Sequence, residues 1–167
     1  MRLWAKILVS VVLAELLGSL GGFITAASIG DWYASLQAPP GTPPNAVFGP
    51  VWGLLYAFIG LSFALIWHHA PPGERKRRAF VWFITQAILN LAWTPAFFGA
   101  HQIGLALAVI LALLVAIALT IRSFLPLHRA SGLLLVPYFL WVAYATYLNA
   151  GFFLLNDFPF FVLRFPH

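Results

Sequence analysis

The sequence predicts an all-α membrane protein: a bundle of five transmembrane helices with a proline-rich capping loop between helices 1 and 2. Three observations carry this expectation. Of 167 residues, 62% are hydrophobic and 8% charged, against about 45–50% and about 25% in soluble domains. Five apolar runs, at about 3–27, 47–67, 79–98, 103–125 and 132–155, each approach the roughly 20 residues that a spanning helix needs. Basic residues also segregate. With five spans, Arg2, Lys6, Arg75, Lys76, Arg77, Arg78, Arg122 and Arg129 fall on one side and Arg164 alone on the other. The positive-inside rule then puts the N-terminus in the cytoplasm and the C-terminus outside.

The chain, 1–167, reads as a single domain. It has no cysteine, which excludes disulfides, thiolate metal sites and cysteine nucleophiles. A net charge of +5 would suggest nucleic acid in a soluble protein. Here the basic residues sit in short loops between apolar runs, so they orient the chain and contact anionic lipid, and no nucleic-acid partner is expected.

Helix 1 follows Arg2 and Lys6 and is too long for a signal-peptide core. Glu15, Gly18, Ser19, Gly22, Thr25 and Ala26 fall on about a third of its circumference. Gly18 and Gly22 make a G-x-x-x-G, which reads as close helix packing. Glu15 at lipid depth leaves a proton-relay role open. The next stretch opens with Trp32 and Tyr33 and holds Pro39, Pro40, Pro43 and Pro44. Proline fixes φ and removes a donor, so residues 37–44 are neither helix nor inner strand. They are expected to form a stiff cap.

Helix 2 takes Pro50 in its first turn, carries Trp52 and Tyr56, and ends at His68 and His69. Adjacent histidines on a helix diverge by about 100°, which counts against a metal or haem role. Residues 71–78 read as a basic loop. Helix 3 carries Trp82, Gln86, Asn90, Trp93 and Phe97 on one stripe. Unpaired amides are penalised in hydrocarbon, so the stripe faces the bundle interior. It is either an interhelical hydrogen-bond network or the wall of a ligand cavity. Helix 4 is uniformly Leu, Ala, Val and Ile and reads as a scaffold or lipid-facing span. Helix 5 carries a second aromatic and amide stripe: Tyr138, Trp141, Ala145, Leu148, Asn149 and Phe152. Ala145 leaves a gap one turn beyond Trp141, a slot for a flat ligand or a packing hole. The aromatic tail, 156–167, is expected at the outer interface. The spans contain no Ser-His-Asp set, paired carboxylates or metal-ligand cluster, so hydrolysis and metal chemistry are poorly supported.

These residues resemble the TspO/translocator protein family, the tryptophan-rich sensory proteins. The resemblance rests on Trp32-Tyr33-Ala34-Ser35-Leu36-Gln37, Pro43-Pro44, Val51-Trp52 with Leu55-Tyr56, and Gln86. It continues through Leu89-Asn90, Trp93, Phe97-Phe98-Gly99, Pro137-Tyr138, Trp141, Ala145 and Leu148-Asn149. It implies a five-helix bundle, commonly a homodimer, in a membrane that is bacterial by its type. It also implies a cavity for porphyrins such as protoporphyrin IX and for synthetic isoquinoline carboxamide or benzodiazepine ligands, with no required cofactor. Together the residue reading and the resemblance place Trp32, Tyr33, Trp52, Tyr56, Gln86, Asn90, Trp93, Phe97, Tyr138, Trp141, Ala145 and Asn149 at the ligand site. Trp52 and Trp141 would be catalytic only if the protein degrades porphyrin under light. Sensing or disposal of tetrapyrrole is the expected role, and transport of porphyrin or lipid is the alternative.

Overall fold

The structure, a computed structural model, describes residues 1–157. The expected interfacial tail therefore lies largely outside the described residues. Five helices are long and apolar enough to span a membrane. They are α1 (Leu3–Ser28), α3 (Asn45–His69), α4 (Glu74–Thr94) with a wide turn Pro95–Gly99, α5 (Ile103–Phe124) and α7 (Val136–Asn156). Two short helices, α2 (Trp32–Ser35) and α6 (Arg129–Leu134), sit in connections.

The helices close into a ring. α1 packs mainly on α3, α4 on α5, and α5 on α7, while α3 and α7 touch each other little. The loosely joined pair leaves room inside. α1 and α3 come together tightly at Gly60, where a Cβ would lie 2.6 Å from Val11 Cα and 2.7 Å from the Ser10 carbonyl. Only hydrogen fits there. Gly18 is likewise pressed against the Tyr56 ring, but Gly22 has nothing within 4 Å. The G-x-x-x-G thus packs at one glycine and faces open space at the other.

The structure sharpens two expectations about burial. α5, expected to be scaffold or lipid-facing, is both: it buries Ile103, Ala106, Ile110, Leu113, Ala116, Ile117, Thr120 and Phe124 between α4 and α7 and leaves Leu105, Leu111 and Val115 exposed. In a bilayer both faces of a helix are apolar, so a uniform sequence does not reveal which face packs. α1, with its polar stripe, is peripheral: among the described residues it buries Ser10 alone.

Helix ends also differ from expectation, each for a local reason. α3 starts at Asn45 behind Pro44, which puts Pro50 in the second turn rather than the first. α4 starts five residues before the expected 79. Glu74 lies in its first turn, where a carboxylate suits the helix dipole. Lys76 Nζ turns back to donate to the carbonyls of Trp67 (3.1 Å) and Ala70 (2.9 Å) at the end of α3. Lys6 Nζ reaches the same Trp67 carbonyl at 3.3 Å. These cations satisfy carbonyls that the helix end leaves free.

Pro95 has no N–H for the Leu91 carbonyl, and the helix widens into a π turn closed by Ala100 N–H to the Pro95 carbonyl at 2.7 Å. The expected fifth span, 132–155, is split at Leu135, just before Pro137. His128 caps α6 by accepting from the Ser131 N–H at 3.3 Å. Ser62 Oγ donates to the Ser131 carbonyl at 2.8 Å and ties α3 to α6.

Candidate functional site: an aromatic cavity and its polar floor

The space between α3 and α7 is a cavity of about 500 Å³, walled also by α1 and α4. It lies in the half of the bundle away from the basic loops. Trp52 comes from α3, Trp93 from α4, Phe97 from the wide turn, and Trp141, Ala145 and Asn149 from α7. Tyr33 reaches in from α2. Trp93 stacks on Phe97 with centroids 5.5 Å apart, and Phe48 meets the Trp141 face edge-on at 6.1 Å. Such pairs hold each other at fixed angles.

One polar contact joins the two aromatic stripes inside the cavity. Trp93 Nε1 donates to Asn149 Oδ1 at 3.0 Å, and Asn149 Nδ2 donates to the Ile103 carbonyl at 3.1 Å. Asn149 is buried with both ends of its amide engaged. A deeper network forms the floor. Tyr56 OH donates to Asn90 Oδ1 at 2.8 Å, Asn90 Nδ2 donates to Tyr138 OH at 2.9 Å, and Tyr138 OH donates to Gln86 Oε1 at 3.0 Å. Tyr56, Asn90 and Tyr138 each hand a hydrogen bond to the next residue, ending at Gln86, which suits a low-dielectric interior.

The helix 3 stripe is therefore both things at once: network below, cavity wall above. Eleven residues from Gln86 to Phe97 rise about 16 Å, too far to share one site. The structure brings Tyr33, Trp52, Tyr56, Asn90, Trp93, Phe97, Trp141, Ala145 and Asn149 together around the cavity. Three expected residues are not on its wall. Gln86 faces a different cavity, and Tyr138 is fully buried in the network. Trp32 stacks flat on His101, with centroids 4.1 Å apart and planes 11° from parallel, and meets Phe97 edge-on at 5.5 Å. Its role is to seat α2 beside the wide turn.

The wall of α1 was not anticipated. Glu15, Gly18, Ser19, Gly22, Thr25 and Ala26 all line the cavity. Their shared face was legible as a stripe, but it reads as packing unless one knows that α1 stands at the rim. Asn45 and Phe48 also line it; they lie on a turn of α3 that the sequence assigns to the loop or to the helix start.

Residues 37–44 pass from α2 to α3 against α7. Gln37 N–H donates to Asn156 Oδ1 at 2.9 Å, and Asn156 Nδ2 returns a bond to the Gln37 carbonyl at 3.1 Å. Tyr147 OH donates to the Pro40 carbonyl at 3.0 Å, and Tyr144 OH donates to the Gly41 carbonyl. Pro39 is buried against Gly151, where a Cβ would come within 2.5 Å of the proline ring. Gly41 holds φ at +86°, a left-handed value that glycine adopts freely. Next to this segment the Tyr33 phenol, packed 5.3 Å from Phe152, is pushed above its usual pKa by burial.

The described residues contain no cluster of three His, Cys, Asp or Glu side chains able to hold a metal. His68, His69 and His128 do gather at the basic end, with the His69 and His128 rings stacked 4.9 Å apart.

Five apolar helices closed around an aromatic chamber define a multi-pass integral membrane protein with an internal ligand-sized cavity. Comparison with known proteins makes this particular. The profile of the TspO/MBR family matches residues 10–155. The chain is 38% identical to the tryptophan-rich protein TspO of Archaeoglobus fulgidus over 90% of its own length and 97% of that protein. It is 39% identical to the human translocator protein, over 78% of this chain and 80% of the other. It is 34% identical to the tryptophan-rich sensory protein of Cereibacter sphaeroides, over 71% and 73%. The chain belongs to the TspO/MBR family.

Proposed function

We propose that the protein is a membrane receptor of the sensor type that takes a flat lipophilic ligand, a porphyrin such as protoporphyrin IX, into the aromatic cavity. One observation carries the reading: Trp52, Trp93, Trp141 and Phe97, from three helices and one turn, surround a single volume of about 500 Å³ that has a small residue, Ala145, in its wall. Each aromatic face adds roughly 0.5–1.5 kcal/mol to ring binding beyond area burial. The lining includes Glu15 and no Lys or Arg. The porphyrin carboxylates therefore point away from Glu15, toward Tyr33 and Asn45. The names of the relatives, sensory and translocator, support a receptor role. The basic loops support a cytoplasmic N-terminus, with the aromatic cavity in the opposite half of the bundle.

The test is a titration of the detergent-purified protein with protoporphyrin IX, read by tryptophan quenching. Saturable quenching is expected, weakened about tenfold or more in Ala145→Phe, which fills the slot, and less in Trp141→Phe. Quenching that never saturates, or that ignores Ala145→Phe, rejects the cavity as the site. The same samples under illumination, with Trp52→Phe and Trp141→Phe, report whether bound porphyrin is consumed.

A further inference from the structure

Two ammonium groups converge on one carbonyl at the basic end of the bundle. Lys6 Nζ, from α1, and Lys76 Nζ, from α4, both donate to the Trp67 carbonyl, at 3.3 and 3.1 Å. Lys76 gives a further bond to the Ala70 carbonyl at 2.9 Å. Each cation also sits over an aromatic ring: Lys6 lies 4.9 Å from the Trp67 ring centre and Lys76 5.7 Å from that of Phe80. Carbonyls at a helix end carry only partial negative charge, so they do not neutralise two full cations. Glu74, the acid nearest to Lys76 in the chain, pairs with Arg77 at 3.3 Å, and among the described residues neither lysine has a carboxylate partner. Both lysines are half-buried. An ammonium has three donors, so each keeps capacity for an anion.

The Trp67 and Phe80 rings beneath these cations belong to the wall of a second cavity, of about 430 Å³, between α1, α3 and α4. It extends along α4 from Phe80 to Leu91. Eleven helical residues rise about 16 Å, roughly half of a 30 Å hydrocarbon core, so the cavity is one leaflet deep. Its few polar residues turn their polar atoms away from the space. Ser10 Oγ and Gln86 Nε2 are sealed behind the wall, while Tyr56 and Asn90 engage theirs with each other and with Tyr138. An occupant therefore meets hydrocarbon and ring faces. Val9, Leu13 and Leu17 of α1 line the cavity and are also 40%, 54% and 43% exposed, so it opens toward lipid along α1.

We propose that this cavity seats one acyl chain of an anionic phospholipid, taken from the leaflet on the basic side, with the phosphate bridging Lys6 and Lys76. A chain alone accounts for the cleft but not for the cation pair above it. A zwitterionic head would return a positive charge to that pair, so the head is a net anion. The site is separate from the aromatic cavity and stands whether or not that cavity takes porphyrin.

The experiment places the full chain in phosphatidylcholine nanodiscs that carry a trace of one photoactivatable lipid. The two probes are phosphatidylglycerol and phosphatidylcholine with the same diazirine-bearing acyl chain, and labelled peptides are mapped by mass spectrometry. Phosphatidylglycerol is expected to label the wall at Phe63 and Phe83 saturably, about tenfold more than phosphatidylcholine, the scale set by two basic residues at a membrane surface. Lys6→Gln and Lys76→Gln should each lower that preference severalfold, and the double variant should remove it. Arg78→Gln, which takes a charge from the same loop but not from the pair, should leave it intact. Ala14→Phe fills the cleft from α1 and should abolish wall labelling by both lipids. Equal labelling by the two lipids in the unmodified chain overturns the site without recourse to any variant. A loss in Arg78→Gln as large as in the lysine variants, or wall labelling indifferent to Ala14→Phe, overturns it as well.

Discussion

The indole of Trp93 donates to the side-chain oxygen of Asn149 at 3.0 Å, and this bond ties α4 to α7 across the cavity they line, above the Asn90–Tyr138–Gln86 links. Trp93→Phe keeps most of the ring but leaves Asn149 Oδ1 buried and unpaired. The expected cost is about 1 kcal/mol, since interhelical bonds in membranes are modest. Asn149→Leu should cost more, because it also frees the Ile103 carbonyl. Thermal unfolding in detergent, followed by circular dichroism, checks the order; equal melting points for wild type and both variants would refute it.

Gly60 and Gly22 differ in what surrounds them, and the same substitution separates them. Gly60→Ala would drive a methyl into the backbone of α1 at Val11, and overpacking of this kind typically costs about 1–3 kcal/mol. Gly22→Ala meets nothing within 4 Å and should be neutral for stability. Melting both variants side by side decides the matter.

Gly151→Ala sets a methyl against Pro39. The segment 37–44 should lift from α7 and loosen the paired bonds between Gln37 and Asn156. Limited proteolysis after Leu36 or Gln37 is expected to speed up several-fold, with the helical content unchanged. A cleavage rate equal to wild type would mean that the proline segment is held by something other than its seat on Gly151.

Tyr33 gives a pH signature outside the spans. Its phenol is neutral when protonated, and burial raises its pKa above the ordinary 10.0. The folded state thus holds the proton more tightly than the unfolded state. The contribution is fully present below pH 10 and is lost as pH rises through the folded pKa. Absorbance at 295 nm, wild type minus Tyr33→Phe, should show no phenolate from this residue until the ordinary tyrosine value has been passed. A transition at the ordinary value would mean the ring is open to water.

Much of this was legible because membranes make composition and charge decisive. Five apolar runs and the segregated basic loops give the bundle, and the stripes on α4 and α7 point inward because Asn90 and Asn149 cannot face lipid. What stayed hidden has one physical origin. Lipid and protein interior are equally apolar, so α5 shows no contrast between its buried and bare faces, and the polar stripe on α1 looks like a packing face rather than a chamber wall. Single glycines such as Gly60 and Gly151 carry no pattern; their necessity exists only once the opposing Val11 or Pro39 is in place. Gln86 and Trp93 share a stripe, and only the rise along α4 assigns them to different chambers.

α1 forms one wall of both cavities, while Leu8, Leu16, Leu20 and Phe23 on its other side are exposed and apolar. An occupant of either chamber is therefore one helix away from lipid tails, and the phase it exchanges with is oil, not buffer. Binding strength then follows mole fraction rather than molarity. Doubling the lipid at fixed protein and fixed ligand halves the occupancy of a weakly loaded site, although the total concentrations in the tube have not changed.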